Sequence, residues 1–125
     1  EPLNTKIDHK GYYLSSSEEG FEVIRQTASP RIKLLYDIYH QQIMEGDILR
    51  TVTAHLDLIG HLHAAGHPGR HELSAGELNY PYLWAQLDQA GYAGFCGLEY
   101  MPLQDPVQGI REVIGGEKND SIYRK

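Results

Sequence analysis

The chain has 125 residues, 41% of them apolar, enough for one ordinary core and short for two domains. A formal charge of −6 with scattered Lys and Arg gives no electrostatic footprint for nucleic acid. The single cysteine, Cys96, excludes an internal disulfide and a cysteine-based zinc cluster, and no apolar run approaches the ~20 residues that span a bilayer. These features suit a cytoplasmic protein. The first residues form neither a signal peptide nor a transit sequence, and Glu1 stands where an initiator Met is expected, so the chain reads as part of a longer protein.

In chain order, "EPLN" (1–4) reads as a strand remnant. "SSSEEGFEVIRQTASP" (15–30) reads as a helix, with Ser15 and Glu18 at capping-box spacing and Pro30 beyond its end. The apolar run 31–40, "RIKLLYDIYH", is a predicted strand. A helix follows over "GDILRTVTAHLDL", capped by Asp47, with Ile48, Val52 and Leu56 on one face. "IGHLHAA" (59–65) is the next strand. "NYPYLWAQLDQAG" has Asn79 as cap, Pro81 in its first turn and Gly91 to stop it. "GFCGLEY" (94–100) is the last strand, and "DPVQGIREVIGG" repeats the helix scheme with Asp105, Pro106 and Gly115. The remainder is a polar tail. Strands alternating with helices of 10 to 15 residues define an α/β chain of parallel β-α units.

One polar residue stands near each strand end: Glu1, Asp37, His63 and Glu99, spaced 36, 26 and 36 residues apart. In a TIM barrel, inward side chains at the carboxyl ends of neighbouring strands converge on one pocket. Three carboxylates and an imidazole brought together repel unless a cation lies between them. Oxygen-rich ligation with one nitrogen suits Mg²⁺ or Mn²⁺, and zinc, cobalt or iron also accept such a set. Taken singly, each acid reads more naturally as a cap or solvated residue, and His63 as a core histidine. Their recurrence, one per unit, is what favours a shared site.

The segments "EPLN", "LLYDIYHQQIMEGD", "GHLHAAGHPGRHE" and "GELNYPYLWAQLDQAGYAGFCGLEYMP" resemble, in order and spacing, the second half of the hydroxypyruvate isomerases, within the xylose-isomerase-like TIM barrel superfamily. The resemblance runs from Glu1 to about Val113. It implies that residues 1–115 form four consecutive β-α units, the fifth to eighth of a (β/α)8 barrel. It also implies a metal held by Glu1, Asp37, His63 and Glu99. His63 departs from the Gln of many hydroxypyruvate isomerases and is similar to the His of ketose epimerases. The implied reaction interconverts hydroxypyruvate and tartronate semialdehyde through an enediolate, with Glu1 and Glu99 as the acid–base pair and a divalent metal stabilising developing charge. His40, three residues after Asp37, matches a substrate-oxygen contact of the superfamily.

The substrate's carboxylate calls for a cation, and the guanidinium of Arg70 matches it in shape; a loop salt bridge from Arg70 to Glu72 or Glu77 is the structural alternative. A turn cap is the alternative for His40. Of the other histidines, His61 shares the inward parity of His63, His67 and His71 belong to the loop, and His9 and His55 read as surface positions. Cys96 reads as a packing residue under the helices. A half-barrel leaves strand edges open, so a missing N-terminal half or a second copy is the expected partner. A 2-oxo-tetronate isomerase or a ketose 3-epimerase is the nearest alternative, and a non-catalytic fragment or interaction module an alternative of another class. A phosphodiester-cleaving endonuclease of the same fold would want a basic groove, which the charge speaks against.

Overall fold

The computed structural model describes residues 1–115, so the expected polar tail (116–125) lies outside the described residues. The elements run α1 (Ser17–Thr27), β1 (Leu34–Asp37), α2 (Ile38–Met44), α3 (Ile48–Ala54), β2 (Ile59–Ala64), α4 (Tyr80–Gln89), β3 (Cys96–Leu98) and α5 (Pro106–Gly115). The three strands form one parallel sheet in the order β1-β2-β3. Such a sheet requires crossovers, and the intervening helices supply them.

Local chemistry sets most element ends. Asn79 accepts from the Tyr82 N–H and starts α4 with Pro81 in its first turn. Asp105 does the same for α5 through the Gln108 N–H. At α1 the cap is Ser16 with Glu19, one residue beyond the expected Ser15 and Glu18. A run of three serines offers the motif in two registers. Glu45 decides between them, because its carboxylate accepts both the backbone N–H and the hydroxyl of Ser17. Asp47 precedes α3 as expected, but in a left-handed conformation without a side-chain cap; its carboxylate pairs with Arg50 at 3.2 Å.

Two expectations are corrected. The strand read over 31–40 stops at Asp37, because the Asp37 carboxylate accepts from the N–H groups of Tyr39 (2.8 Å) and His40 (3.2 Å) and so starts α2. Residues 1–4 form no strand, leaving three described strands of the expected four. The amides of that segment are used elsewhere: the Leu3 N–H goes to the Leu14 carbonyl and the Asn4 N–H to the His40 ring.

The two faces of the sheet differ. Leu34, Tyr36, Leu62 and Ala64 point into a buried core with Phe21, Ile48, Val52, Tyr80, Leu83, Trp84 and Leu87. On the opposite face of β2 lie His61 and His63, both half-buried. The Cys96 thiol packs against the core, and burial pushes its pKa up to about 12, which keeps it a protonated packing group. Among the described residues no helix is long and apolar enough to cross a membrane.

Phe21 is fully buried and stacks on Tyr36 and, at 4.0 Å between ring centroids, on His55. His55 is therefore a packing residue rather than the surface position its polarity suggested. Phe21→Ala should cost about 3 to 5 kcal/mol in urea unfolding followed by circular dichroism. A loss below about 1 kcal/mol would mean that α1 does not close this core.

Candidate active site

The parallel register sets the site. Asp37 ends β1 directly opposite His63 of β2, and His63 lies opposite Gly97 of β3. Glu99 follows β3, its N–H bonded to the Ala64 carbonyl. Glu1 reaches the same point from the irregular start of the chain. One ligand atom from each of Glu1, Asp37, His63 and Glu99 lies within 4.8 Å of the others. His63 Nδ1 is 3.4 Å from Glu99, 3.9 Å from Glu1 and 3.9 Å from Asp37.

The way the histidine is held determines which nitrogen it presents. A Cβ built on Gly97 would come within 2.8 Å of His63 Cδ2 and close to Nε2, so only glycine leaves room for the ring there. Nε2 thus faces the bare backbone of β3, and Nδ1 faces the carboxylates. That Nδ1 is buried and makes no hydrogen bond among the described residues. His61, edge-on to His63 at 5.1 Å, supports the ring from one position earlier on the same face.

The charges are unbalanced. Asp37 is buried, and burial pushes its pKa up to about 6 against the hydrogen bond from the His40 N–H, with the charge of Glu1 adding to the rise. An orphaned imidazole nitrogen facing three carboxylate groups could hold a divalent cation that takes mostly oxygen ligands.

Two further groups converge here. Arg70, in a left-handed conformation after β2, sends Nη2 to within 2.6 Å of Glu99 Oε2 and holds its guanidinium over the Tyr39 ring at 5.2 Å. Neither expected loop partner is free for it. Glu72 accepts from the Leu103 and Gln104 N–H groups, and Glu77 pairs with His67 at 3.4 Å. Glu72 thereby ties the loop after β2 to the segment after β3, which carries Arg70 to the site. His71 also ties these segments, its Nδ1 lying 2.8 Å from the Met101 carbonyl oxygen. His40 is fully buried, its Nε2 3.8 Å from Asp37 Oδ2. Burial, helped by the positive charge of Arg70, pulls its pKa down to about 4, so the ring is neutral at pH 7. His9, expected at the surface, packs edge-on against His40 at 5.2 Å.

The six residues singled out from the sequence, Glu1, Asp37, His40, His63, Arg70 and Glu99, thus occur together. Asn4, Asp8, Tyr39 and Gly97 also shape the site and were not anticipated. The Asn–Asp spacing in "NTKID", an Asx-turn pattern, was the available signal for the first two.

With this geometry, the sequence matches the family described as "Xylose isomerase-like TIM barrel" over residues 1–115. The chain belongs to that family. It is 40% identical over 111 residues to a putative hydroxypyruvate isomerase of Homo sapiens, an alignment covering 88% of this chain and 40% of the relative. It is 42% identical over 110 residues to a 2-oxo-tetronate isomerase of Cupriavidus necator, covering 88% and 42%. A crystal structure described as an AP endonuclease, family 2, from Brucella melitensis superposes with a TM-score of 0.86 at 34% identity, covering 99% of this chain and 45% of that one. The chain spans less than half the length of each of these relatives.

The raised pKa of Asp37 has a measurable consequence. The folded chain binds this proton more tightly than the unfolded chain, whose Asp titrates near 3.8, so without metal stability is lost as pH rises from about 4 through about 6. Asn retains the cap of α2 without the charge. At pH 7.5 in chelator, Asp37→Asn should therefore be more stable than wild type by about 1 to 3 kcal/mol in urea unfolding, and the gain should vanish near pH 4. A variant less stable than wild type at pH 7.5 would contradict the assignment.

Proposed function

We propose that the chain is the C-terminal half of a metal-dependent isomerase acting on a small hydroxy-oxo acid, with hydroxypyruvate and tartronate semialdehyde as its leading pair. The observation that carries this reading is the convergence of Glu1, Asp37, His63 and Glu99 on one point, with Arg70 and His40 beside it. The isomerase names of the two relatives above support the reaction class.

Glu1, Asp37, His63 and Glu99 would hold Mg²⁺ or Mn²⁺, with His63 ligating through Nδ1. A bound cation of this kind supplies Lewis acidity for a carbonyl and its neighbouring hydroxyl oxygen. The chain's own groups do the rest. In hydroxypyruvate the reaction removes a proton from the hydroxyl-bearing carbon and delivers one to the adjacent carbonyl carbon, while the hydroxyl proton moves to the former carbonyl oxygen. No net oxidation occurs. Glu1 and Glu99 are the carboxylates available to take and return the carbon-bound proton. Neutral His40 offers its Nε2 side to a substrate oxygen. Arg70, held over the Tyr39 ring, offers two parallel N–H donors to the substrate carboxylate.

The exposed surface supports a missing half. Phe95, Met101 and Leu103 are each about 70% exposed around β3, and His61 and His63 on the other face of β2 are only half-buried. An N-terminal half-barrel would cover both, with a second copy of this chain as the alternative. The Cupriavidus necator relative favours a second substrate, a four-carbon 2-oxo acid.

The complete protein, supplied with Mn²⁺, should isomerise hydroxypyruvate or the four-carbon acid and leave a neutral ketose unchanged. Arg70→Lys keeps the charge without the planar fork and should lower kcat/KM for the acid by about 10- to 100-fold, chiefly through KM. Equal activity on the neutral ketose would remove Arg70 from the carboxylate-binding role, and no activity on any of the three would favour a non-catalytic module.

A further inference from the structure

We propose that Asn4 is a positioning residue that fixes His40 as an Nε2–H donor aimed into the carboxylate cluster. Its chemical meaning rests on the isomerase reading; its geometry does not.

The orientation of the Asn4 amide is determined by its partners. Oδ1 accepts from the backbone N–H groups of Ile7 (3.1 Å) and Asp8 (2.9 Å), closing an Asx-turn. The amide nitrogen therefore lies on the opposite side, where Nδ2 donates to Asp8 Oδ2 at 2.7 Å and faces His40 Nδ1 at 2.7 Å. Both hydrogens of Nδ2 and both lone pairs of Oδ1 are used, so a flipped amide would set carbonyl against carboxylate and NH₂ against two N–H groups. The Tyr39 hydroxyl donates to the same Asp8 oxygen at 2.9 Å, tying this network to α2. Asn4 itself is fully buried.

The Asn4 backbone N–H also points at His40 Nδ1, at 3.2 Å. With two donors in front of it, Nδ1 has no room for a proton and must accept. The ring proton is left with Nε2. That atom is buried, has no hydrogen-bond partner among the described residues and lies on the Asp37 side of the ring. A buried donor without an acceptor is costly unless a ligand supplies one. The group it suits is an oxygen acceptor: a carbonyl that becomes an enediolate oxygen, whose growing charge strengthens the bond. His40 in this tautomer has no lone pair toward the cluster, so it polarises substrate and leaves the carbon-bound proton to the carboxylates.

The test is the protonation pattern of the ring, read by long-range proton–nitrogen correlation on the full chain labelled with ¹⁵N-histidine. No metal or substrate is added, and His40→Gln assigns the signal. Wild type should show His40 with a bare Nδ1 and a protonated Nε2. Asn4→Asp keeps the oxygen that caps Ile7 and Asp8 but replaces the donor facing Nδ1 with an acceptor, so the proton should appear on Nδ1. A protonated Nδ1 in wild type would overturn the proposal, and this result decides the matter even if the variant does not fold. A folded Asn4→Asp chain with an unchanged Nε2–H tautomer would also overturn it. An inactive protein with the Nε2–H tautomer counts against the isomerase reading alone; an active one with Nδ1–H counts against this inference alone.

Discussion

The structure depends on one register. Asp37, His63 and Gly97 stand side by side across three parallel strands, so a carboxylate, an imidazole and a gap follow one another along the carboxyl edge of the sheet. A slip of one residue in β2 would send His63 to the core face and Leu62 to the site. The core enforces the register, because Leu62 and Ala64 are buried on the opposite face of the same strand. Packing and chemistry therefore share a single constraint: the residues that fill the core decide where the polar ones point.

Around that edge the acids are gathered at an electrostatic cost that hydrogen bonds within the protein meet only in part. Arg70 neutralises Glu99 across 2.6 Å, and Asp37 spends one oxygen on the cap of α2. Its other oxygen and the Nδ1 of His63 remain directed at the shared point. Imbalance of this kind is common where a charged ligand completes a site. The network of buried Asn4, Tyr39 and His40 with exposed Asp8 is the opposite case: nearly every donor and acceptor is matched, and the unmatched Nε2 lies on the site's side of the ring. Full matching of that sort fixes the orientation of the His40 ring.

Much of this was legible in the sequence, for identifiable reasons. Helix ends carried by strong local chemistry, such as Asn79 with Pro81 and Asp105 with Pro106, occur where those residues stand. The polar residues near the strand ends were found because their spacing repeats while their surroundings do not. The strand read through His40 failed because Asp37 serves two roles, site carboxylate and helix cap, and only the second ends the strand. The register of α1 was hidden by three consecutive serines, and the choice among them is made by Glu45, 28 residues from Ser17. The partner of Arg70 was equally out of reach, since Glu72 and Glu77 are nearer in sequence and are withdrawn by contacts only the fold creates. Gly97 and Asn4 act through empty space and through amide orientation, neither of which a residue pattern displays.

On the proposed reading, Glu1, Asp37, His63 and Glu99 form one divalent-cation site. Calorimetric titration of the chelator-treated chain with Mn²⁺ tests it most directly, with Asp37→Asn as the comparison because Asn keeps the helix cap and loses the charge. One Mn²⁺ per chain in wild type, with affinity reduced at least 100-fold in the folded variant, is the expected result. No binding to wild type, or equal binding to both, would contradict it.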